Sequence, residues 1–351
     1  MLRFRAAEGG SSSGLDNLSP TSVYRGRSFE RDHETLKQMV SSCRETVCSR
    51  KGIFILTAVL VLSSLGLMWW YLQTEIQLIT MSIIEADNVW QDNGRSSDII
   101  VSLSTLPHRL AAIDLTLKSL MTQSMKPRKI QLQLPLFSRR DNATYEIPLF
   151  LQGLASVEIK HVERDWGPAT KFIPPVLSEE DDQAIVIVDD DYIYPPTWIE
   201  LFHKFASSFP NAAIATRGWD VPRNLKWKDS KTIFGSSLSE PMKVDVVTGC
   251  GGILIRPRFF DKNAVTAYEG APKEAFFVDD IWISGHLAKH NVDRFLFPTN
   301  NDRHRTQFSR ILVSDRGLIN TENKGGHNND VMLAYFASEW HYDDGREAGE
   351  S

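Results

Sequence analysis

Three consecutive aspartates follow an apolar run in AIVIVDDD, residues 184–191. Side chains alternate across a strand, so Asp189 and Asp191 are expected on one side and Asp190 on the other. Converging carboxylates repel each other unless a cation lies between them, and hard ions such as Mg²⁺ or Mn²⁺ take oxygen ligands of this kind, usually sharing them with phosphate. The pattern therefore predicts a metal–phosphate site at the carboxyl end of a buried strand, with a solvated acidic turn as the alternative.

An apolar segment at residues 53–72 has the length of a membrane span and contains no charge and no proline. Basic residues precede it closely, at Lys37, Arg44, Arg50 and Lys51, and the next one is Arg95. Excess basic charge marks the cytoplasmic side. The sequence therefore predicts a type II membrane protein with a cytosolic N-terminus and a lumenal C-terminal part.

Composition limits the other classes of function. The chain has 39 Lys+Arg and 44 Asp+Glu, a net charge of −5, and the basic excess lies before the span, which excludes a field that attracts nucleic acid. Only Cys250 follows the span, so no disulfide is expected in the lumenal part and stability must come from a hydrophobic core. Asn142 begins an N-glycosylation acceptor on the predicted lumenal side.

The chain divides into five predicted segments. Residues 1–52 have the composition of a disordered cytosolic tail, 53–72 form the span, 73–97 a lumenal stem, 98–342 one catalytic domain and 343–351 a flexible end. Ile76, Ile79 and Ile83 in the stem follow a helical period, so it either continues the span or pairs with a second copy.

The predicted catalytic domain alternates strands and helices. Strands are expected at residues 99–103, 129–134, 157–162 and 185–188, and later at 212–216 and 252–255. A helix with Leu110, Ile113, Leu117 and Leu120 facing the core is expected after the first strand, and another at 277–290. This order predicts an α/β fold with a mostly parallel sheet flanked by helices.

With the anchor, the α/β pattern and the acidic strand end together, the chain resembles the GT-A-fold glycosyltransferases. The segments TLPHRL, DWGPATK and DDDYIYPPTW resemble family-two-like members in particular, and the resemblance covers residues 98 to 340. It implies transfer of a sugar from a nucleotide-diphosphate donor, with Mn²⁺ or Mg²⁺ held between the aspartates and the diphosphate. The implied acceptor is a glycan, glycoprotein or glycolipid, and the implied location is the Golgi membrane or, alternatively, the endoplasmic reticulum.

The resemblance assigns roles within the aspartate motif. Asp191 matches the last aspartate, which binds the metal, and Asp189 the first, which lies nearer the ribose and reaches the ion through water. Asp190 is the middle residue, with local hydrogen bonding and donor contact both open. One late histidine often adds a metal ligand, with His327 first and His304 second as candidates.

Two other segments are expected to contact the donor. Asp165, Thr170 and Lys171 belong to a Gly-Pro turn before a helix, where amide groups favour phosphate and the lysine adds a cation; the alternative is a surface lysine. Gly251 and Gly252 belong to the cluster TGCGG, which either borders the donor sugar or forms a tight turn before a strand. Cys250, directly before them, is interpreted as a packed residue.

An acidic pair at Asp279 and Asp280 matches the position of the general base in inverting members. The resemblance makes Asp280 the base and Asp279 a supporting group, although aspartates at a helix start also stabilise its dipole. His286 and His290 are interpreted as helix surface. Alternatives to an inverting transferase are a non-catalytic sugar-nucleotide or glycan-binding protein and a phosphohydrolase, which Tyr192 after the aspartates disfavours.

Overall fold

The computed structural model describes residues 35, 37, 50–299, 305–306 and 323–340. The chain divides into two compact units, Met1–Leu72 and Gln73–Ser351. Several predicted features lie outside the described residues: nearly all of the tail at 1–52, the flexible end at 343–351 and His304.

The first described helix is α1 (Arg50–Thr80). Within the part of the chain that the structure describes, no helix is both long enough and apolar enough to cross a membrane. The span predicted at residues 53–72 therefore has no support from the structure.

The remaining elements belong to the second unit. Its helices are α2 (Ile83–Asp92), α3 (Asp114–Met121), α4 (Ile173–Ser178), α5 (Trp198–Ser208), α6 (Lys262–Thr266), α7 (Asp279–Lys289) and α8 (His327–Tyr335). Its longer strands are β1 (Ile100–Ser104), β2 (Lys129–Pro135), β3 (Val157–Val162), β4 (Ile185–Ile187), β6 (Ala213–Ala215), β7 (Arg217–Trp219), β11 (Ile253–Ile255) and β12 (Arg294–Leu296). The two-residue strands are β5 (Tyr192–Ile193), β8 (Ile233–Phe234), β9 (Met242–Lys243), β10 (Val246–Val247) and β13 (Arg305–Thr306).

The main sheet has eight strands in the order β3-β2-β1-β4-β11-β6-β12-β9. Strands β3, β2, β1 and β4 pair in parallel, and β6 pairs in parallel with β12. Strand β11 runs antiparallel to both of its neighbours, and β9 runs antiparallel to β12. The prediction of a mixed α/β fold with a mostly parallel sheet is therefore confirmed.

The sheet is buried on both faces, which explains why its central strands are continuous apolar runs. In β4, Ile185 and Ile187 pack into one core cluster, whereas Val186 packs into the other. In β11, Ile253 and Ile255 join the first cluster and Leu254 joins the second. Because side chains alternate along a strand, each of these two strands contributes residues to both cores.

The helix predicted after the first strand is present only in part, because Leu110 lies in a 3-10 turn and Ile113 precedes the α-helix. Pro107 begins a 3-10 turn, Pro107–Ala112, and α3 follows at Asp114. Leu110, Ile113, Leu117 and Leu120 are all buried, so the helical spacing identified the core positions correctly.

The segment predicted as a separate stem is partly built into the second unit. Helix α2 begins with a capping box, in which Ser82 Oγ accepts from Glu85 N and Ser82 N donates to Glu85 Oε2. Ile83 and Ala86 are buried in the core beside β1 and β2 residues. The boundary at residue 98 stays a prediction, and an amphipathic helix within the predicted stem segment contributes to the core of the second unit.

A buried carboxylate fixes α2 to the loop before β3. Asp87 Oδ1 accepts from Ser156 N at 2.8 Å and from Ser156 Oγ at 2.6 Å, and Oδ2 accepts from Ala155 N at 3.1 Å. Burial opposes the charge of Asp87, but these hydrogen bonds outweigh it and lower its pKa. The contact ties the second unit's first short helix to the edge of the sheet.

Replacing Asp87 with alanine is expected to lower the free energy of unfolding by about 2–4 kcal/mol, because the buried amide and hydroxyl of Ser156 and the amide of Ala155 lose their acceptor. Urea unfolding followed by fluorescence measures this change. Asp92→Ala, an exposed position at the end of the same helix, is the matched control and should change stability little. Equal stability of the two variants would contradict the assignment.

Candidate functional site

A cavity of about 240 Å³ opens at the carboxyl ends of β1 and β4. Its walls come from the residues after β1, the turn after β4, the 3-10 turn Gly167–Lys171 and the segment that leads into α7. The sheet order places β1 and β4 next to each other, so residues that follow them meet at one edge. This edge is where ligands bind in open α/β sheets.

All three aspartates line this cavity. Strand β4 ends at Ile187, and Asp190 and Asp191 lie in a turn. Strand alternation therefore does not extend to them, and the opposite orientation expected for Asp190 stays a prediction. Asp189 pairs with Lys171, whereas Asp190 contacts Thr105, so the two carboxylates have different partners in the cavity wall.

Asp190 is nevertheless held by local hydrogen bonds. Its Oδ2 accepts from Thr105 Oγ1, and Arg109 Nη1 lies 3.4 Å from its Oδ1. Its main-chain carbonyl accepts from Thr116 Oγ1 at 2.9 Å. The side chain is almost fully buried, so of the two open roles the structure favours local hydrogen bonding.

Lys171 lies between two carboxylates of separate elements. Its ammonium pairs with Asp189 Oδ1, and its Nζ is 2.8 Å from Asp279 Oδ2. Its main-chain carbonyl accepts from Ser102 Oγ of β1 at 2.7 Å. Burial would lower the pKa of Lys171, but the charges of Asp189, Asp279 and Asp280 outweigh it and hold the pKa well above its usual value. Lys171 is thus neither a surface residue nor free to face only a diphosphate.

Asp279 and Asp280 form the first turn of α7, but they do not cap it. Val278 is the N-cap residue, and no side chain accepts a capping hydrogen bond there. Asp280 Oδ1 instead accepts from Gly249 N at 2.8 Å. Burial, followed by the charge of Asp279, raises the pKa of Asp280 to about 8, although Lys171 and the Gly249 amide act in the opposite direction. Such a carboxylate is basic enough to take a proton near neutral pH.

Asp165 and Thr170 line the cavity and also shape the turn between them. Asp165 accepts from Gly167 N at 2.8 Å and from Arg139 N at 2.7 Å. Thr170 Oγ1 accepts from Trp166 N at 3.0 Å. Gly167 has φ +62, and an added Cβ would stand 2.2 Å from Phe276 O, so glycine is required where this turn meets the segment before α7.

Gly251 and Gly252 do not line the cavity. Gly251 O accepts from Trp198 Nε1 and Thr216 Oγ1, at 3.2 and 2.6 Å. Gly252 has φ +84, and an added Cβ would stand 2.1 Å from the Trp198 ring. Both glycines therefore serve the tight turn before β11, which was the structural alternative. Gly249 of the same cluster is the one that approaches the site, through Lys171 and Asp280.

Cys250 is a packed residue, as expected. Burial raises the pKa of its thiol to about 11, and Arg217 Nη1 lies 2.6 Å from Sγ. A thiol with this pKa is protonated at neutral pH and is a poor nucleophile.

His327 is exposed as the first residue of α8 and does not line the cavity. The structure thus does not bring it to the aspartates. Among residues 50–299, 305–306 and 323–340, no three His, Cys, Asp or Glu side chains cluster in a way that would hold a metal ion.

Several lining residues had no signal in the sequence analysis. Arg109 contacts Asp190, Tyr145 OH donates to Thr105 O at 2.9 Å, and Phe276 and Phe277 form an apolar wall before Asp279. Arg109 lies two residues after Pro107, where a chain leaving β1 at the carboxyl edge has to pass the site, and this position was the available hint.

His286 is buried on α7, whereas His290 on the next turn is exposed. The interpretation of both as helix surface is therefore wrong for His286, because α8 covers that face. Its ring contacts Trp282 and Phe336, and neither ring nitrogen has a hydrogen-bond partner in the structure. Burial, with smaller contributions from Lys289 and His290, lowers the pKa of His286 to about 4.

No family model and no curated protein matches the chain. Among solved structures, it is similar to a crystal structure of S. aureus TarS 1–349, with 12% identity, 70% of this chain and 71% of that chain covered, and a TM-score of 0.37. It is also similar to GalNAc-T7 with UDP, GalNAc and Mn²⁺, with 13% identity, 60% of this chain and 43% of that chain covered, and a TM-score of 0.38. Likenesses at this level carry no argument about the activity of this chain.

Acid is expected to destabilise the protein through His286, since the unfolded state binds a proton near pH 6.5 and the folded state only near pH 4. Stability from this group is complete above pH 6.5 and falls by about 3 kcal/mol as the pH drops to 4. His286→Leu should remove that part of the pH dependence in thermal or urea unfolding. His290→Leu is the matched control, and a parallel loss of stability in wild type and His286→Leu would refute this expectation.

Proposed function

We propose that this protein transfers a sugar from a nucleotide-diphosphate donor to a hydroxyl group of a glycan, protein or lipid, in a metal-dependent reaction on a GT-A-like fold. One observation carries the proposal. Three aspartates after β4 and Asp279 at the start of α7 line the same cavity, and Asp280, with its raised pKa, follows directly.

The donor atoms of this wall fit a hard divalent cation, because they are carboxylate oxygens. Asp191 and Asp189 would hold Mn²⁺ or Mg²⁺, which when bound stabilises the negative charge on a departing diphosphate. The absence of a three-residue ligand cluster among the described residues is consistent with an ion that takes further ligands from donor phosphate and water.

Asp280 is proposed as the general base. It accepts the proton of the acceptor hydroxyl as that oxygen forms a bond to the anomeric carbon and the bond from this carbon to the diphosphate breaks. The configuration at the anomeric carbon is then inverted. The Gly249 amide holds Asp280 in place by a hydrogen bond, and the negative charge of Asp279 contributes to the raised pKa of Asp280. The raised pKa supports this role because a stronger base takes up the proton more readily.

Two other functions remain as alternatives. A non-catalytic protein that binds sugar nucleotides or glycans does not need a carboxylate with a raised pKa, such as Asp280, next to the aspartates of the cavity. A phosphohydrolase with an aspartate nucleophile has no need of the pair at Asp279 and Asp280. The site geometry therefore favours the transferase.

The proposed location is the Golgi membrane, as a single-pass type II protein with a lumenal C-terminal part, or alternatively the endoplasmic reticulum. Support comes from the sequence alone: the apolar segment at 53–72 and the basic residues before it. Pairing of two copies through residues 73–97 stays a prediction. Of the isoleucines at helical spacing, Ile76, Ile79 and Ile83, the last is already buried in the core.

Wild-type protein incubated with a panel of nucleotide sugars and Mn²⁺ should release free nucleoside diphosphate, and Asp191→Ala should slow this release roughly 100-fold or more. Asp182→Ala, at an exposed aspartate remote from the cavity, is the matched control. Phosphate release from simple phosphoesters would favour the phosphohydrolase. No release of nucleoside diphosphate from any nucleotide sugar would favour the non-catalytic binding protein. Full turnover of Asp191→Ala in chelator would contradict the proposal.

The pH profile tests Asp280. Because the base must be ionised, kcat/KM is expected to rise about tenfold per pH unit up to about pH 8 and then level off. Asp280→Asn should lower kcat by roughly 10²–10⁴-fold and abolish this rise. An Asp280→Asn variant that keeps the wild-type profile would assign the base elsewhere.

A further inference from the structure

Lys171 is a buried cation that lies between two carboxylates of the site. Its side chain is only 6% exposed, and it joins Asp189 of the aspartate turn to Asp279 of α7. These partners lie 18 and 108 positions away in the sequence, on separate elements. A buried charge with two opposite charges around it is strongly stabilised, whereas removal of one partner leaves the others uncompensated.

The ammonium of Lys171 has little freedom to withdraw. Its main-chain carbonyl is tied to β1 through Ser102 Oγ at 2.7 Å. On another side the backbone of Gly249 is so close that an added Cβ would stand 2.9 Å from Nζ. The positive charge therefore stays in the cavity when a second positive charge arrives.

We propose that Lys171 is a positioning residue that competes with the divalent cation for Asp189, so that the cavity binds the cation weakly until donor phosphate supplies compensating negative charge. This inference rests on the proposed function, since it concerns the same carboxylates. It differs from a direct role of Lys171 as a diphosphate contact, which predicts no effect of Lys171 on the binding of the cation alone.

The physical basis is charge balance within a poorly solvated space. Asp189 already has an ammonium against one of its oxygens, and like charges repel more strongly where water is excluded. A divalent ion that enters alone therefore meets a carboxylate that is partly neutralised. An ion that enters with a diphosphate brings its own negative charge and meets less repulsion.

The test is calorimetric titration of the full-length protein with MnCl₂ alone, without nucleotide. Lys171→Met is expected to bind Mn²⁺ at least tenfold more tightly than wild type, and Lys171→Arg, which keeps the charge, should bind as wild type does. Lys118→Met is the matched control, because Lys118 is also only 6% exposed and ion-paired, with Asp114 at 2.9 Å. It should leave Mn²⁺ affinity unchanged.

Lys171→Met leaves buried carboxylates without their cation and can fail to fold. The same comparison is then made between Asp279→Asn and the double variant Lys171→Met/Asp279→Asn, in which one of those carboxylates is neutral. The double variant is expected to bind Mn²⁺ at least tenfold more tightly than Asp279→Asn.

Equal Mn²⁺ affinity with and without Lys171, weaker binding without it, or no binding in either protein would overturn the inference. These outcomes are distinct from a failure of the proposed function. Donor turnover by wild type, measured separately with the nucleotide-sugar panel, decides that question whatever the Mn²⁺ titrations show.

Discussion

The ion pairs of Lys171 are the interaction on which the whole site depends. Asp189, Asp279 and Asp280 come from a strand end and a helix start, and without a cation between them their charges would drive these elements apart. The buried Lys171 ammonium offsets these negative charges. Gly249, which has no side chain, lets its loop approach closely enough for its amide to donate a hydrogen bond to Asp280. The same cluster thus sets both the position of Asp189 in the cavity wall and the basicity of the proposed base.

Much of the fold could be predicted from the sequence, because strands and helices that pack into a core have characteristic apolar spacings. Apolar runs such as IVI at 185–187 are strands because they must fill two cores at once. The spacing of Leu110, Ile113, Leu117 and Leu120 identified four buried positions, of which the last two lie in α3. The aspartates lie at the carboxyl edge of the sheet, as the apolar run before them indicated. Their individual orientations could not follow from strand alternation, because the strand ends at Ile187 and Asp190 and Asp191 lie in a turn.

What the sequence left hidden depends on contacts between distant residues. Nothing near Lys171 in the chain indicates that Asp279 will reach it, since this pairing needs the complete sheet. His286 and His290 are four residues apart, a spacing that two surface residues of a helix also have. The packing of α8 buries His286 and leaves His290 exposed, and the sequence gives no sign of that contact. The capping box at Ser82 and Glu85 was a readable signal for α2, and its significance was missed.

The reversal of β11 has a consequence for how the site can vary. Strand β11 runs against β4 with Ile253 opposite Ile187, so the beginning of β11 lies where β4 ends. In a wholly parallel sheet, the loop before that strand would emerge at the far edge. Here the reversed strand delivers an additional loop, with Gly249, to the edge of the cavity beside Lys171 and Asp280. Changes of length or composition in this loop can therefore alter the surroundings of these two residues while the strand pairing of the sheet is unchanged.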